Sequence, residues 1–155
     1  MNDARPEELV PVRLANLAID ALERTAMVIA DIAEEEEADQ LPPLDEAACV
    51  DYDGPCKGRV WIAASDGFGA SVAASLLGVD PSEVPADQAG AMIDELANIL
   101  GGSVILDLGG DDCPFRLGLP RRCPATACPT SDECTRIVLD AEGERLEVRW
   151  QPLAA

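Results

Sequence analysis

The stretch "AMIDELANILGG", residues 91–102, holds a carboxylate and a carboxamide three positions apart, Glu95 and Asn98. Its apolar residues Met92, Ile93, Leu96, Ile99 and Leu100 recur at the spacing of one buried helical face. Three residues advance about 300° around a helix, so the two polar tips stand about 60° apart, well away from the stripe centred near Leu96. Ala91 falls between them, and its short side chain lets another surface approach closely. A carboxamide oxygen can accept from a water while its NH₂ donates elsewhere. The plain reading is the wet side of an amphipathic helix. Against it, Asn is a mediocre helix former, because its amide competes for backbone hydrogen bonds, and Lys, Glu or Gln would serve a wet face better.

The rest of the composition narrows the chemistry. There is no histidine, which removes Ser-His-Asp and Cys-His catalysis, His-ligated metals and any imidazole acid-base step. Carboxylates, amides, hydroxyls or thiols must do any catalytic work. The net charge of −19 excludes binding to nucleic acid by phosphate neutralisation and disfavours an anionic membrane surface. Ten acids and no base lie between Asp31 and Asp53, and Lys57 is the only lysine. No apolar run reaches the roughly 20 residues of a membrane span. "MNDARPEELV" has early acids and no apolar signal core, which reads as a cytoplasmic protein.

Six cysteines, Cys49, Cys56, Cys113, Cys123, Cys128 and Cys134, include four spaced C-x9-C-x4-C-x5-C. Paired C-x2-C knuckles are absent, so a zinc site is weakly supported, and no metal ligands are assigned. Without a secretory signal these read as reduced thiols on strands. A redox or metal module built on them stays open.

The elements that must position the Glu-Asn pair follow from periodicity. Residues 6–38 read as one long amphipathic helix through Leu14, Leu17, Ala18, Ala21, Leu22, Ile29, Ile32 and Ala33. "EEEEADQLPP" then reads as a solvated acidic linker stopped by Pro42-Pro43. Strands are expected at 50–53 and 57–64 around Asp53-Gly54-Pro55, with a buried helix "ASVAASLLG" closed by Gly78. A helix from about Ala86 to Leu100 should stop at Gly101-Gly102. "SVILDL", "CPFRLGL", "TRIVLD" and "RLEVRW" read as strands, the last two joined as a hairpin by "DAEGE". An irregular Pro- and Cys-rich segment lies between Pro120 and Cys134. The fold class is α+β, long helices packed on a largely antiparallel sheet. At 155 residues it should be one domain. Residues 1–40 would form the long helix and linker, 47–120 the motif-bearing region, and 121–155 the Cys/Pro loop and C-terminal hairpin.

"DELANILGG" resembles the E-L-x-N-x-x-x-G signature of the bacterial chemotaxis phosphatases of the CheC, CheX and FliY group, closest to CheX, through Glu95, Asn98 and Gly102. "KGRVWIAAS" is similar to the strand with a preceding Gly in that family, here Gly58. "GASVAASLLGVD" is similar to its following A-rich helix, and Pro120 stands near a family proline. The resemblance covers roughly residues 50–120. It implies hydrolysis of the aspartyl phosphate on a CheY-type response-regulator receiver domain. It makes Glu95 and Asn98 catalytic, on a partner-binding face of Ala91, Asp94, Glu95, Asn98 and Gly102. Asn98 would orient the attacking water and Glu95 would pair with the receiver's lysine. No cofactor is implied in this chain, since the receiver brings its own Mg²⁺. The family also implies a homodimer through sheet edges, with "RLEVRW" as an edge candidate.

Two departures qualify the match. Ala91 stands where the family often has Asp or Ser, which leaves open a docking module that binds a receiver without hydrolysis. A second E-x-x-N is missing from "RLANLAIDA", where Arg13 precedes Asn16. The strong negative charge should also oppose an anionic partner at long range. Arg116, Arg121 and Arg122 could offset it locally, or simply serve solubility.

Overall fold

Hydrophobic alternation with a period of two, seen most cleanly in "RLEVRW", builds the sheet on which everything else sits. The computed structural model describes residues 9–109, 114–129 and 134–153. In chain order the elements are α1 (Pro11–Ala26), β1 (Ala30–Ile32), α2 (Glu35–Ala38), β2 (Leu44–Asp53), β3 (Lys57–Ser65), α3 (Phe68–Leu77), α4 (Ala86–Gly109), β4 (Arg116–Leu117), β5 (Arg121–Pro124), β6 (Thr135–Ala141) and β7 (Glu144–Leu153). The strands form one seven-stranded sheet in the order β1-β6-β7-β3-β2-β4, with β5 pairing another part of β2. Every pairing is antiparallel. The α+β class is therefore the observed one.

Alternate residues divide the sheet into two faces. Ala48, Val50 and Tyr52 of β2, Val60, Ile62 and Ala64 of β3, and Leu146, Val148 and Trp150 of β7 enter one core with α1, α3 and α4. Tyr52 Oη accepts from Trp150 Nε1 at 2.8 Å inside it, and burial pushes the phenol up to about 12. The opposite face carries Ala47, Cys49, Trp61, Ala63 and Cys128 as a smaller apolar cluster.

Several expected elements fold differently. The N-terminal helix stops at Ala26, because Met27 takes a left-handed conformation (φ 54°) and Val28 N–H donates back to Leu22 O at 3.2 Å. β-Branched residues follow, which favour extended backbone, and β1 pairs with β6. Ile29 and Ile32, expected on the helical stripe, are exposed. The acidic run is not only linker: α2 lays Ala38 against Val138 on the outer sheet face. "RLEVRW" is not an edge, since β7 is paired on both sides by β6 and β3. The Pro- and Cys-rich segment contributes β5, and "CPFRLGL" only the two residues of β4. Cys113 and the expected helix start at Pro6 lie outside the described residues.

The largest difference concerns the glycines. α4 runs 24 residues straight through Gly101-Gly102, and "SVILDL" is its last turns, not a strand. Gly in a helix interior costs about 1 kcal/mol relative to Ala, so packing must offset it. At Gly101 it does: a Cβ there would stand 2.6 Å from Val50 Cγ1 and 2.8 Å from Leu117 Cδ1. Gly101 is a contact between helix and sheet, not a stop. At Gly102 a Cβ would meet nothing within 4 Å.

These two neighbours should therefore respond oppositely. Gly101→Ala is expected to destabilise by about 1–3 kcal/mol through overpacking. Gly102→Ala should stabilise by up to about 1 kcal/mol through helix propensity. Urea unfolding of both variants checks this, and equal midpoints would remove the close approach at Gly101.

Candidate functional site

One side of α4 belongs to the core: Gly90, Ile93, Leu96, Ala97, Leu100, Gly101 and Val104 are buried. By length and composition alone this helix could cross a membrane, but that stripe is spent on the sheet and on α1 and α3. Burial of this stripe leaves Ala91 and Glu95 exposed, with Asp94, Asn98 and Gly102 half-buried beside them. The wheel drawn from sequence thus holds for this stretch. Neither the Glu95 nor the Asn98 side chain has a partner among the described residues. Their carboxylate and carboxamide are uncommitted among the described residues.

Asp94 is different. Its Oδ2 accepts from Arg122 Nη2 at 2.9 Å, while its Oδ1 is buried with no partner. Arg122 reaches α4 because β5 alternates: Arg122 pairs with Ala48, whose side chain is in the helix-side core, and Arg121 pairs with outward-facing Cys49. The guanidinium lies over Gly90, where a Cβ would come within 2.2 Å of Nη1. Gly69 allows a second close approach, since a Cβ there would stand 2.4 Å from Ala89 O and push α3 off α4.

The three arginines considered as a cationic surface do not form one. Arg121 serves Asp51 at 3.4 Å on the other sheet face, where Arg59 Nε also donates to Asp51 at 2.5 Å. The Arg59 hydrogen bond holds the Asp51 carboxyl below its usual range. Arg116 stands near Asp53 at the β2–β3 turn. Only Arg122 flanks the Glu-Asn face.

A feature that sequence reading missed adjoins Glu95. Ala73, Leu76 and Leu77 of α3 face Gln88, Ala91, Met92 and Glu95 of α4 across an open groove of about 360 Å³, almost wholly apolar. Leu77 is 60 % exposed. The signal was present in "SLLGVD": a buried helix has no reason to leave two leucines at its open end before a left-handed Gly78 (φ 70°). Among the described residues no cluster of His, Cys, Asp or Glu could hold a metal ion.

A single antiparallel sheet with three helices on one face is the fold of the CheX and CheC-like structures it superposes on. The family described as "Chemotaxis phosphatase CheX" matches residues 47–141, and the chain belongs to that family. CheX from Desulfovibrio desulfuricans superposes with a TM-score of 0.69 at 13% identity, over 90% of this chain and 96% of that one. The CheX–CheY–BeF3–Mg²⁺ complex from Borrelia burgdorferi gives 0.66 at 14% identity, over 91% and 96%. Thermotoga maritima FliY gives 0.52 at 10%, over 98% and 91%. No curated protein matches the sequence.

If the pair is free of structural duty, its removal should not weaken the fold. Glu95→Ala should leave unfolding free energy within about 0.5 kcal/mol of wild type. Asn98→Ala should match or exceed wild type, by up to about 0.7 kcal/mol, because Ala is the better helix former. A loss above 1 kcal/mol in either, by urea denaturation, would mean that the side chain holds the fold together.

Proposed function

We propose that this protein hydrolyses the aspartyl phosphate of a CheY-type receiver domain, with Glu95 and Asn98 as the catalytic residues. The observation that carries this reading is an exposed Glu95 beside a half-buried Asn98, neither with a side-chain partner among the described residues, on the helix matched by the CheX family. Family membership supports the reaction class, and the relative crystallised with CheY supports the class of partner. Ala91, Asp94 and Gly102 complete the docking face. Ala91 and the open surface over Gly102 let a partner approach close to the helix backbone.

An acyl phosphate is already reactive, and phosphoryl transfer rests mostly on positioning and electrostatics. The receiver supplies the phosphorylated carboxylate, its Mg²⁺ and a lysine. This chain supplies order. Glu95 pairs with the lysine and seats α4 against the receiver. The Asn98 carboxamide oxygen accepts a hydrogen bond from one water and holds it in line with the phosphorus–oxygen bond. Attack by that water forms a new phosphorus–oxygen bond and releases the receiver's carboxylate and inorganic phosphate. The Arg122 pairing draws Asp94 aside, so Glu95 is the free carboxylate of the face.

Decay of a phosphorylated receiver, loaded with a small phosphodonor, should be faster with this protein. Asn98→Ala should lower the accelerated rate by at least about tenfold while binding survives, as expected for loss of a group needed only at the transition state. Glu95→Ala should weaken docking as well. Unchanged decay with receivers that demonstrably bind would make the domain a non-catalytic docking module, the reading that Ala91 keeps in play.

A homodimer through sheet edges belongs to the same proposal, with the edge reassigned from β7 to β1. β1 is three residues long, and exposed Ile32 (48 %) closes it. Sedimentation should show a concentration-dependent dimer that Ile32→Lys weakens, because charges on an edge block pairing. A monomer at all concentrations would remove the dimer.

A further inference from the structure

The outer sheet face gathers thiols that the reading above does not use. Cys49 on β2 and Cys123 on β5 are free, as is Cys128, which is buried with Cys49, Trp61, Ala47 and Ala63. Register places Cys123 opposite Ala47 and Arg121 opposite Cys49. Cys49 and Cys123 are therefore diagonal neighbours on one face of adjacent strands. Arg121 Nη2 lies 3.6 Å from Cys49 Sγ, a buried sulfur, and a neighbouring cation is one of the features of reactive cysteines. Burial pushes the Cys123 thiol up and the Cys128 thiol up to about 11. Both are protonated at neutral pH.

We propose that Cys49 and Cys123 are an oxidisable thiol pair that a hydroperoxide converts into a disulfide linking β2 to β5. Cys49 attacks the peroxide: its sulfur gains one oxygen as a sulfenic acid, and the peroxide's other oxygen leaves as water, or as an alcohol from an organic peroxide. The Cys123 sulfur then attacks Cys49, the sulfur–sulfur bond forms, and the sulfenic oxygen departs as water with the Cys123 proton. Two thiols are oxidised by two electrons and one peroxide is reduced.

Strand geometry sets a cost and a consequence. Diagonal neighbours stand roughly 7–8 Å apart at Cα, and a disulfide wants no more than about 6.8 Å. One strand must therefore move by about 1 Å. β5 can do so, because it is four residues long and, among the described residues, pairs only with β2. The same strand carries Arg122 through to Asp94 on the helix side, so its displacement reaches the neighbour of Glu95.

The full-length reduced protein should be treated with equimolar hydrogen peroxide, blocked with a thiol reagent and digested without reductant for mass mapping. The expected result is a Cys49–Cys123 linked peptide, with two thiols lost per peroxide consumed. Cys49→Ser and Cys123→Ser should each abolish the link, and Cys128→Ser should keep it. Cys→Ala variants, with unfolding midpoints matched to wild type, guard against misfolding as the cause. A bridge to Cys128 or any other cysteine, or Cys49 accumulating as sulfinic acid without a bridge, would overturn the proposal.

Discussion

The approach of α4 to the sheet is the contact on which the rest of the structure depends. Helix and strands meet where Gly101 has no side chain, against Val50 and Leu117. This contact sets the depth at which α4 lies and the rotation about its axis. Once Ile93, Leu96, Leu100 and Val104 are buried, the helix has no freedom left to choose what it shows to solvent. Ala91, Glu95, Asn98 and Gly102 face outward because the opposite residues are committed. Gly69 against Ala89 repeats the device between α3 and α4, the two helices that flank the apolar groove beside Glu95.

The outer sheet face solves a different problem, since no long helix covers it. Glu147 is only 2 % exposed there, surrounded by Arg136, Arg145 and Arg149. A buried carboxylate is tolerable only when paired and hydrogen-bonded. Arg136 Nε donates to it at 2.5 Å, and Arg145 also donates to Ala38 O at 3.0 Å, tying α2 down. In a chain with ten arginines and thirty acids, three bases spent on one glutamate are a large share. On the helix side Arg13 pairs with Asp107 and Arg122 with Asp94, and among the described residues none pairs with Glu95.

β5 connects the two faces. Its alternation sends Arg121 and Cys123 to one side and Arg122 to the other. A four-residue strand at the rim thus contacts both the thiol cluster and the flank of the Glu-Asn face. Edge strands have fewer restraining neighbours than interior ones, so motion is cheapest there.

The sequence by itself determined the α+β class, the β6–β7 hairpin, the β2–β3 pair, the helix closed by Gly78, and the outward placement of Glu95 and Asn98. Each rests on a local period or turn residue, and local signals survive without knowledge of partners. Only the tertiary structure decided where α1 stops, because Leu14, Leu22 and Ile29 keep helical spacing across a left-handed Met27 that no composition signal marks. It alone distinguished Gly101 from a helix terminator, since a glycine that ends a helix and one that touches a sheet look alike until the sheet is present. It alone made β7 interior and joined Arg122 to Asp94, 28 residues apart in the chain. Those contacts are set by which strand lies beside which, and strand order is a property of the assembled sheet rather than of any one segment.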